Sequence, residues 1–146
     1  MRSQIMDIKR LSKTLSVCAQ ISPDDLKAVK ALGFGAIICN RPNDETTDQP
    51  SFERIAKAAE AAGLTSSYIP VVGGQISDED VALFEAATDH LAQPILAYCR
   101  TGTRCTILWS LSQAGQQSAD DILASAKAAG YDMSTQLERM NNKIKN

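Results

Sequence analysis

Apolar and polar positions alternate in two regimes along the chain: short apolar bursts, and longer stretches with helical periodicity closed by glycine. "LSVCAQ" (15–20), "GAIICN" (35–40), "TSSYIPVV" (65–72) and "PILAYC" (94–99) read as strands, the second and the last apolar enough to be buried. Between them lie helical patterns with their own start and stop chemistry. In "SPDDLKAVKALG" (22–33), Ser22 suits the N-cap, Pro23 the first helical position and Gly33 the left-handed stop. "SFERIAKAAEAAG" (51–63) repeats that logic, and in "SDEDVALFEAATDHL" (77–91) Ser77 and Asp80 are spaced as a capping box. Three more helices are expected over about 103–115, 119–129 ending at Gly130, and 135–144 capped by Ser134.

Strands alternating with helices of these lengths predict an α/β fold, a central mostly parallel sheet flanked by helices, in one domain over 1–146. In such sheets ligands settle where strand-to-helix turns leave the carboxyl ends of the strands. Three turns, "AQIS", "NRPNDE" and "CRTGTRC", are therefore expected to meet at one edge. The polar run 41–50 is the longest loop, and long loops in compact domains are often functional.

The 146 residues, 44% hydrophobic, are enough for one well-filled core. A net charge of -2 argues against a broad nucleic-acid footprint, which needs a basic face, so any anion must be gripped locally. "MRSQIMDIKRLSK" lacks the continuous apolar segment of a signal peptide, and no later stretch is long enough for a membrane helix, so no membrane association and a cytoplasmic location are expected. The four cysteines, Cys18, Cys39, Cys99 and Cys105, show no CxxC spacing, and His90 is the single histidine; no metal and no cofactor are expected. Cys18 and Cys39 read as packing residues inside strands, Trp109 and Phe84 as core, and His90 as a helix end.

"CRTGTRC" (99–105) carries the chemistry. A turn that leaves a buried strand and opens a helix aims backbone N–H groups into a concavity and adds the positive end of the dipole. Cys99 at the mouth of that cradle is expected to be a thiolate nucleophile, its pKa lowered by the dipole and the guanidinium charges. Gly102 permits the turn and Arg104 offers a bidentate grip on an oxyanion; Arg100, with Thr101 and Thr103 through their N–H groups, completes the binding set. Arg41 either binds the substrate anion or braces its loop against Asp44 or Glu45. Cys105 either packs in the following helix or acts as a resolving thiol.

The loop resembles two superfamilies. Tyrosine-specific and dual-specificity phosphatases use H-C-x-x-G-x-x-R-[ST], whereas here Arg104 stands five rather than six places after Cys99 and Tyr98 replaces the histidine. Single-domain rhodaneses often read C-R-x-G-x-R, which Cys99, Arg100, Gly102 and Arg104 match position by position; that resemblance implies a tight cradle carrying a Cys99 persulfide. "GFGAIICNRPNDE", "AAGLTSSYIPV" and "PILAYCRTGTRCTILW" resemble, in order and spacing, the phosphatase-like domain family of β-lactamase hydrolase-like proteins over about residues 10 to 132. The resemblance implies a protein-tyrosine/dual-specificity-phosphatase-like fold with a rhodanese-type loop, and some relatives are fused to a metallo-β-lactamase-like sulfur dioxygenase domain.

A phosphatase gains from a general acid on a neighbouring loop, yet "IPVVGGQISDED" has no acidic residue before Asp78, which suits a helix start. The leading expectation is therefore a sulfurtransferase that passes sulfane sulfur from an anionic donor to a thiol or cyanide acceptor. The alternative is a phosphatase acting through a Cys99 phosphocysteine on a phosphorylated anionic substrate. A second alternative is a non-catalytic module in which Cys99 and Cys105 cycle between thiol and disulfide.

Overall fold

The structure is a computed structural model that describes residues 6–145; the first five residues of the segment read above for signal character lie outside this range. A two-residue strand β1 (Lys9–Arg10) pairs antiparallel with β2 (Leu15–Cys18). A 3-10 turn (Pro23–Asp25) leads into α1 (Leu26–Ala31), then come β3 (Ala36–Cys39), α2 (Phe52–Ala61), β4 (Thr65–Tyr68), α3 (Asp78–His90) and β5 (Ile95–Tyr98). The chain closes with α4 (Thr103–Gln113), α5 (Ala119–Ala128), a 3-10 turn (Ser134–Gln136) and α6 (Leu137–Lys145).

The sheet order is β1-β2-β5-β3-β4, with β2, β5, β3 and β4 parallel. Register fixes where the site lies. Cys18 of β2 and Cys39 of β3 both pair with Tyr98 of β5, so these three strands end level with one another. The turns that follow must leave from one edge. Main-chain bonds continue the alignment past the strand ends, from Asn40 N to Tyr98 O (2.8 Å) and from Gln20 N to Arg100 O (3.4 Å).

Helices cover both faces, which is why the strand residues of β2, β3 and β5 are buried throughout. Val17, Ile38, Ala97 and Cys99 point to the side of α3 and α4, packing with Phe84, Leu108 and Trp109. Cys18, Ile37, Cys39 and Tyr98 point the opposite way, against Leu26, Val29 and Ile55. Period-two alternation thus puts Cys99 on one face and Cys18 and Cys39 on the other. Among the described residues, no helix is long and apolar enough to cross a membrane.

Most local expectations match. Ser77 accepts from Asp80 N (3.1 Å) while the Asp80 carboxylate accepts from Ser77 N (2.9 Å), and His90 ends α3. Three details differ. The strand expected over 65–72 ends at Tyr68, because Pro70 has no N–H to donate; Ile69 and Val71 still donate to Cys39 O and Asn40 O. Ser134 opens a 3-10 turn with Met133 as its N-cap, and Asp132 Oδ1 accepts from Ser134 N (2.9 Å), so Ser134 does not cap α6. The helix expected from Pro23 begins as a 3-10 turn, where Asp25 Oδ2 accepts from Ser22 N (2.8 Å).

Candidate active site

β5 carries Cys99 to the sheet edge, and α4 begins four residues later. Between them Gly102 adopts φ 92, a left-handed conformation that a side chain disfavours, and serves as the N-cap of α4. The turn folds back on the sulfur: Gly102 N donates to Cys99 Sγ at 3.1 Å. The N–H groups of Thr101 and Cys105 and the Cys105 thiol lie close enough to that sulfur to favour its ionised form. Thr106 Oγ1 in turn donates to Gly102 O (2.8 Å), securing the first turn of α4.

These bonds outweigh burial. The Cys99 thiol is pulled down from 9.0 to about 5, first by the Cys105 thiol, against an opposing desolvation, and then by the three backbone N–H groups. Cys105, fully buried beside it, is pushed well above 9.0, first by burial and then by its bond to Cys99. The pair therefore holds one thiolate and one thiol, with the charge on Cys99. Two expectations are corrected here. Cys99 lies on the floor of the cradle rather than at its mouth, with only 1% of its surface exposed, because it still packs with the strand. The leading causes of its ionisation are hydrogen bonds rather than guanidinium charge, although Arg104 does feel the thiolate.

Glu45, in the 41–50 loop, organises the cationic side. Arg104 Nη1 and Nη2 donate to its two oxygens at 2.7 and 2.9 Å, and Nη1 also donates to Val71 O at 2.9 Å. Arg41 Nε donates to the same carboxylate at 2.9 Å. The two arginines hold the Glu45 carboxyl down at about 2, with the Arg104 bonds the larger cause. Asp44 takes φ 66 just before it, a turn that an aspartate tolerates. The loop is tied down by Gln49 Nε2 to Pro42 O and Phe52 N to Asn43 Oδ1, both 2.8 Å.

The three expected turns do meet: "AQIS" supplies Gln20, which accepts from Arg41 Nη1 (3.1 Å), and the other two are joined through Glu45 and Arg104. Arg41 is 4% exposed, and its three nitrogens bond Glu45, Gln20 and Thr46. These bonds brace the loop, which is one of the two roles expected of it. Arg100 is exposed at the rim. The hydroxyls of Thr101 and Thr103 bond each other at 3.1 Å. Asp78 pairs with Arg139 (2.9 Å) at the start of α3.

Two residues escaped the sequence reading. Glu45 was visible only as a partner for Arg41, and Tyr131, whose hydroxyl donates to Thr101 O (3.0 Å), gave no local signal. No group of three or more histidine, cysteine or carboxylate side chains suited to a metal ion occurs among the described residues.

Residues 7–116 match the family described as beta-lactamase hydrolase-like protein, phosphatase-like domain. A beta-lactamase hydrolase-like protein of Agrobacterium fabrum is 32% identical over 130 residues, 88% of this chain but 30% of that protein. The chain thus spans about a third of the length of the curated relatives it matches. Among solved structures, a Neisseria meningitidis protein proposed to be a phosphatase shares 37% identity and a TM-score of 0.84, covering 94% of this chain and 98% of that one. Kinase associated phosphatase, solved with its catalytic site cysteine replaced by serine, shares 15% identity and a TM-score of 0.76, covering 99% and 98%. The fold is that of the protein-tyrosine and dual-specificity phosphatases.

Proposed function

Because the chain belongs to the phosphatase-like domain family of β-lactamase hydrolase-like proteins, we propose that it is a cysteine-dependent phosphatase working through a Cys99 phosphocysteine. The observation that carries this reading is the Cys99 sulfur at the head of α4, accepting from Gly102 N at 3.1 Å in a turn that lowers its thiol to about 5, on a phosphatase-like fold. Sulfur transfer, the leading expectation from the loop spacing, takes second place, since the comparisons support phosphatases over sulfurtransferases.

The thiolate attacks phosphorus, forming the S–P bond as the P–O bond to the leaving group breaks. The N–H groups of the turn take the equatorial phosphoryl oxygens. Three N–H groups of Arg104 are used by Glu45 and Val71 O, which leaves the edge formed by Nε and the second Nη2 hydrogen for a bidentate contact. Water then attacks phosphorus, releasing inorganic phosphate and restoring the thiolate.

Proton supply shapes the substrate. The 69–77 segment contains no carboxyl group, and Glu45, held at about 2, is ionised at neutral pH and has no proton to give. The leaving group must therefore depart as a weak base, so the favoured substrates are aryl phosphates and other activated phosphoryl groups. Phosphate release from a series of substituted aryl phosphates tests this. The rate is expected to fall steeply as the leaving group becomes more basic, and Cys99→Ser is expected to abolish turnover. Thiocyanate production from thiosulfate and cyanide, without any aryl phosphate hydrolysis, would instead establish the sulfur reading, whose specific support is the five-place spacing from Cys99 to Arg104.

A further inference from the structure

One peptide group carries two bonds that point in opposite directions. The N–H of Gly102 donates to Cys99 Sγ at 3.1 Å, and the carbonyl of Thr101, the other end of the same planar amide, accepts from the Tyr131 hydroxyl at 3.0 Å. We propose that Tyr131 is a positioning residue: its phenol locks the Thr101–Gly102 peptide in the orientation that aims the N–H at the reactive sulfur. The residue lies beyond the 7–116 stretch matched by the family model.

The lock is needed because of what sits next to it. Gly102 at φ 92 has no Cβ to bar rotation of the preceding peptide, and a flip would turn the Thr101 carbonyl, an acceptor, toward the anion. Tyr131 opposes the flip in two ways. Its hydroxyl holds the carbonyl outward, and the ring end fills the space that a Cβ on Gly102 would occupy. Donation to the carbonyl also polarises the amide, which strengthens the N–H bond to sulfur at its far side.

The tyrosine is itself placed by a helix stop. Gly130 N donates to Lys127 O (2.9 Å) and Tyr131 N to Ala126 O (2.9 Å), with Gly130 at φ 100. That is the paired-bond ending that closes a helix with a left-handed glycine. The end of α5 thus sets the phenol's position, and α5 packs on α4. The ring also packs against the core cluster that contains Cys99 and Cys105.

The titratable and charged groups near Cys99 are Cys105 and Arg104 from α4 and Tyr131 on its own side of the sheet, and Cys18 of β2 and Cys39 of β3, which feel its charge from the opposite face. Burial raises the thiols of Cys18, Cys39 and Cys105, Arg104 is raised first by Glu45, and the Tyr131 phenol is pushed up to about 12, first by burial. None of these changes charge between pH 4 and 8, so a titration observed at Cys99 in that range is its own.

The inference rests on Cys99 being the reacting sulfur of the proposed phosphatase, but its test uses no phosphate ester, so failure of hydrolysis and failure of the lock are separable. The rate of Cys99 alkylation by iodoacetamide, followed by peptide mass spectrometry, is measured against pH in the wild type and in Tyr131→Phe, which keeps the ring. The midpoint is expected to rise by roughly one pH unit in the variant, with the plateau rate unchanged. A midpoint that does not move overturns the proposal. A second measurement needs no variant: with 13C at the tyrosine Cζ of the wild-type protein, the Tyr131 resonance is expected to shift with the same midpoint as the Gly102 amide. A Tyr131 signal indifferent to the Cys99 titration would refute the coupling through that peptide.

Discussion

Replacing Glu45 by glutamine keeps the shape of the side chain and removes the charge that two arginines share. The Glu45 carboxyl is lowered from 4.5 to about 2, and each pKa unit corresponds to about 1.4 kcal/mol, a gross preference of roughly 3 kcal/mol for the ionised form. The side chain is 27% exposed, so solvent screening reduces this to about 2 kcal/mol. The buried partner makes the loss harder to absorb: Arg41, with a side chain 5% exposed, would keep its charge without the carboxylate. Glu45→Gln is therefore expected to lower the melting temperature at pH 7 by about 6 °C. Since the folded pKa is depressed, the stabilisation is fully present above the unfolded value of 4.5 and disappears as pH falls through about 2. The wild-type advantage should shrink by more than half by pH 3. Thermal melts of both proteins at pH 7 and pH 3 decide it; equal stability at pH 7, or an advantage independent of pH, would refute the reasoning. The same variant is expected to raise KM for an aryl phosphate, because Arg104 loses the bidentate partner that orients it.

Gly102→Ala forces a side chain into a positive-φ position and into the Tyr131 phenol, and should cost about 1–3 kcal/mol in urea unfolding and most of the phosphatase activity. Cys105→Ala removes the largest cause of the lowered Cys99 pKa, so the alkylation midpoint of Cys99 should move up from about 5. Under mild peroxide the wild type should lose two thiols reversibly, as the Cys99 sulfenic acid condenses with the Cys105 thiol and releases water; Cys105→Ala should carry Cys99 on to the sulfinic acid, read by mass spectrometry. Recovery of the variant by dithiothreitol as complete as the wild type's would reduce Cys105 to packing and to its hydrogen bond.

What was legible in the sequence was local. The Ser77–Asp80 box and the glycine stops at Gly33, Gly63 and Gly130 act within one helical turn, so their residues announce themselves. Cys99, Gly102 and Arg104 were readable for the same reason: the cradle is one contiguous turn between a buried strand and a helix. β1 was missed because two residues, Lys9 and Arg10, carry no periodicity and pair only through their neighbour β2. Glu45 and Tyr131 reach the cradle across 59 and 30 positions of sequence. Nothing near either one encodes that contact; it exists because strand register and the end of α5 bring the segments together. Arg41 shows the converse, since its neighbours allowed both a binding and a bracing role, and the bonds that make up the bracing one go to Glu45 and Thr46 of its own loop and to Gln20 of a separate turn.

Rapid acid quench of the protein during turnover of an aryl phosphate, followed by peptide mass mapping, looks straight at the covalent chemistry. A phosphoryl group is expected on the peptide containing Cys99, and none on that peptide in Cys99→Ser. Turnover with that peptide unmodified, or phosphate carried by a different residue, would contradict the account.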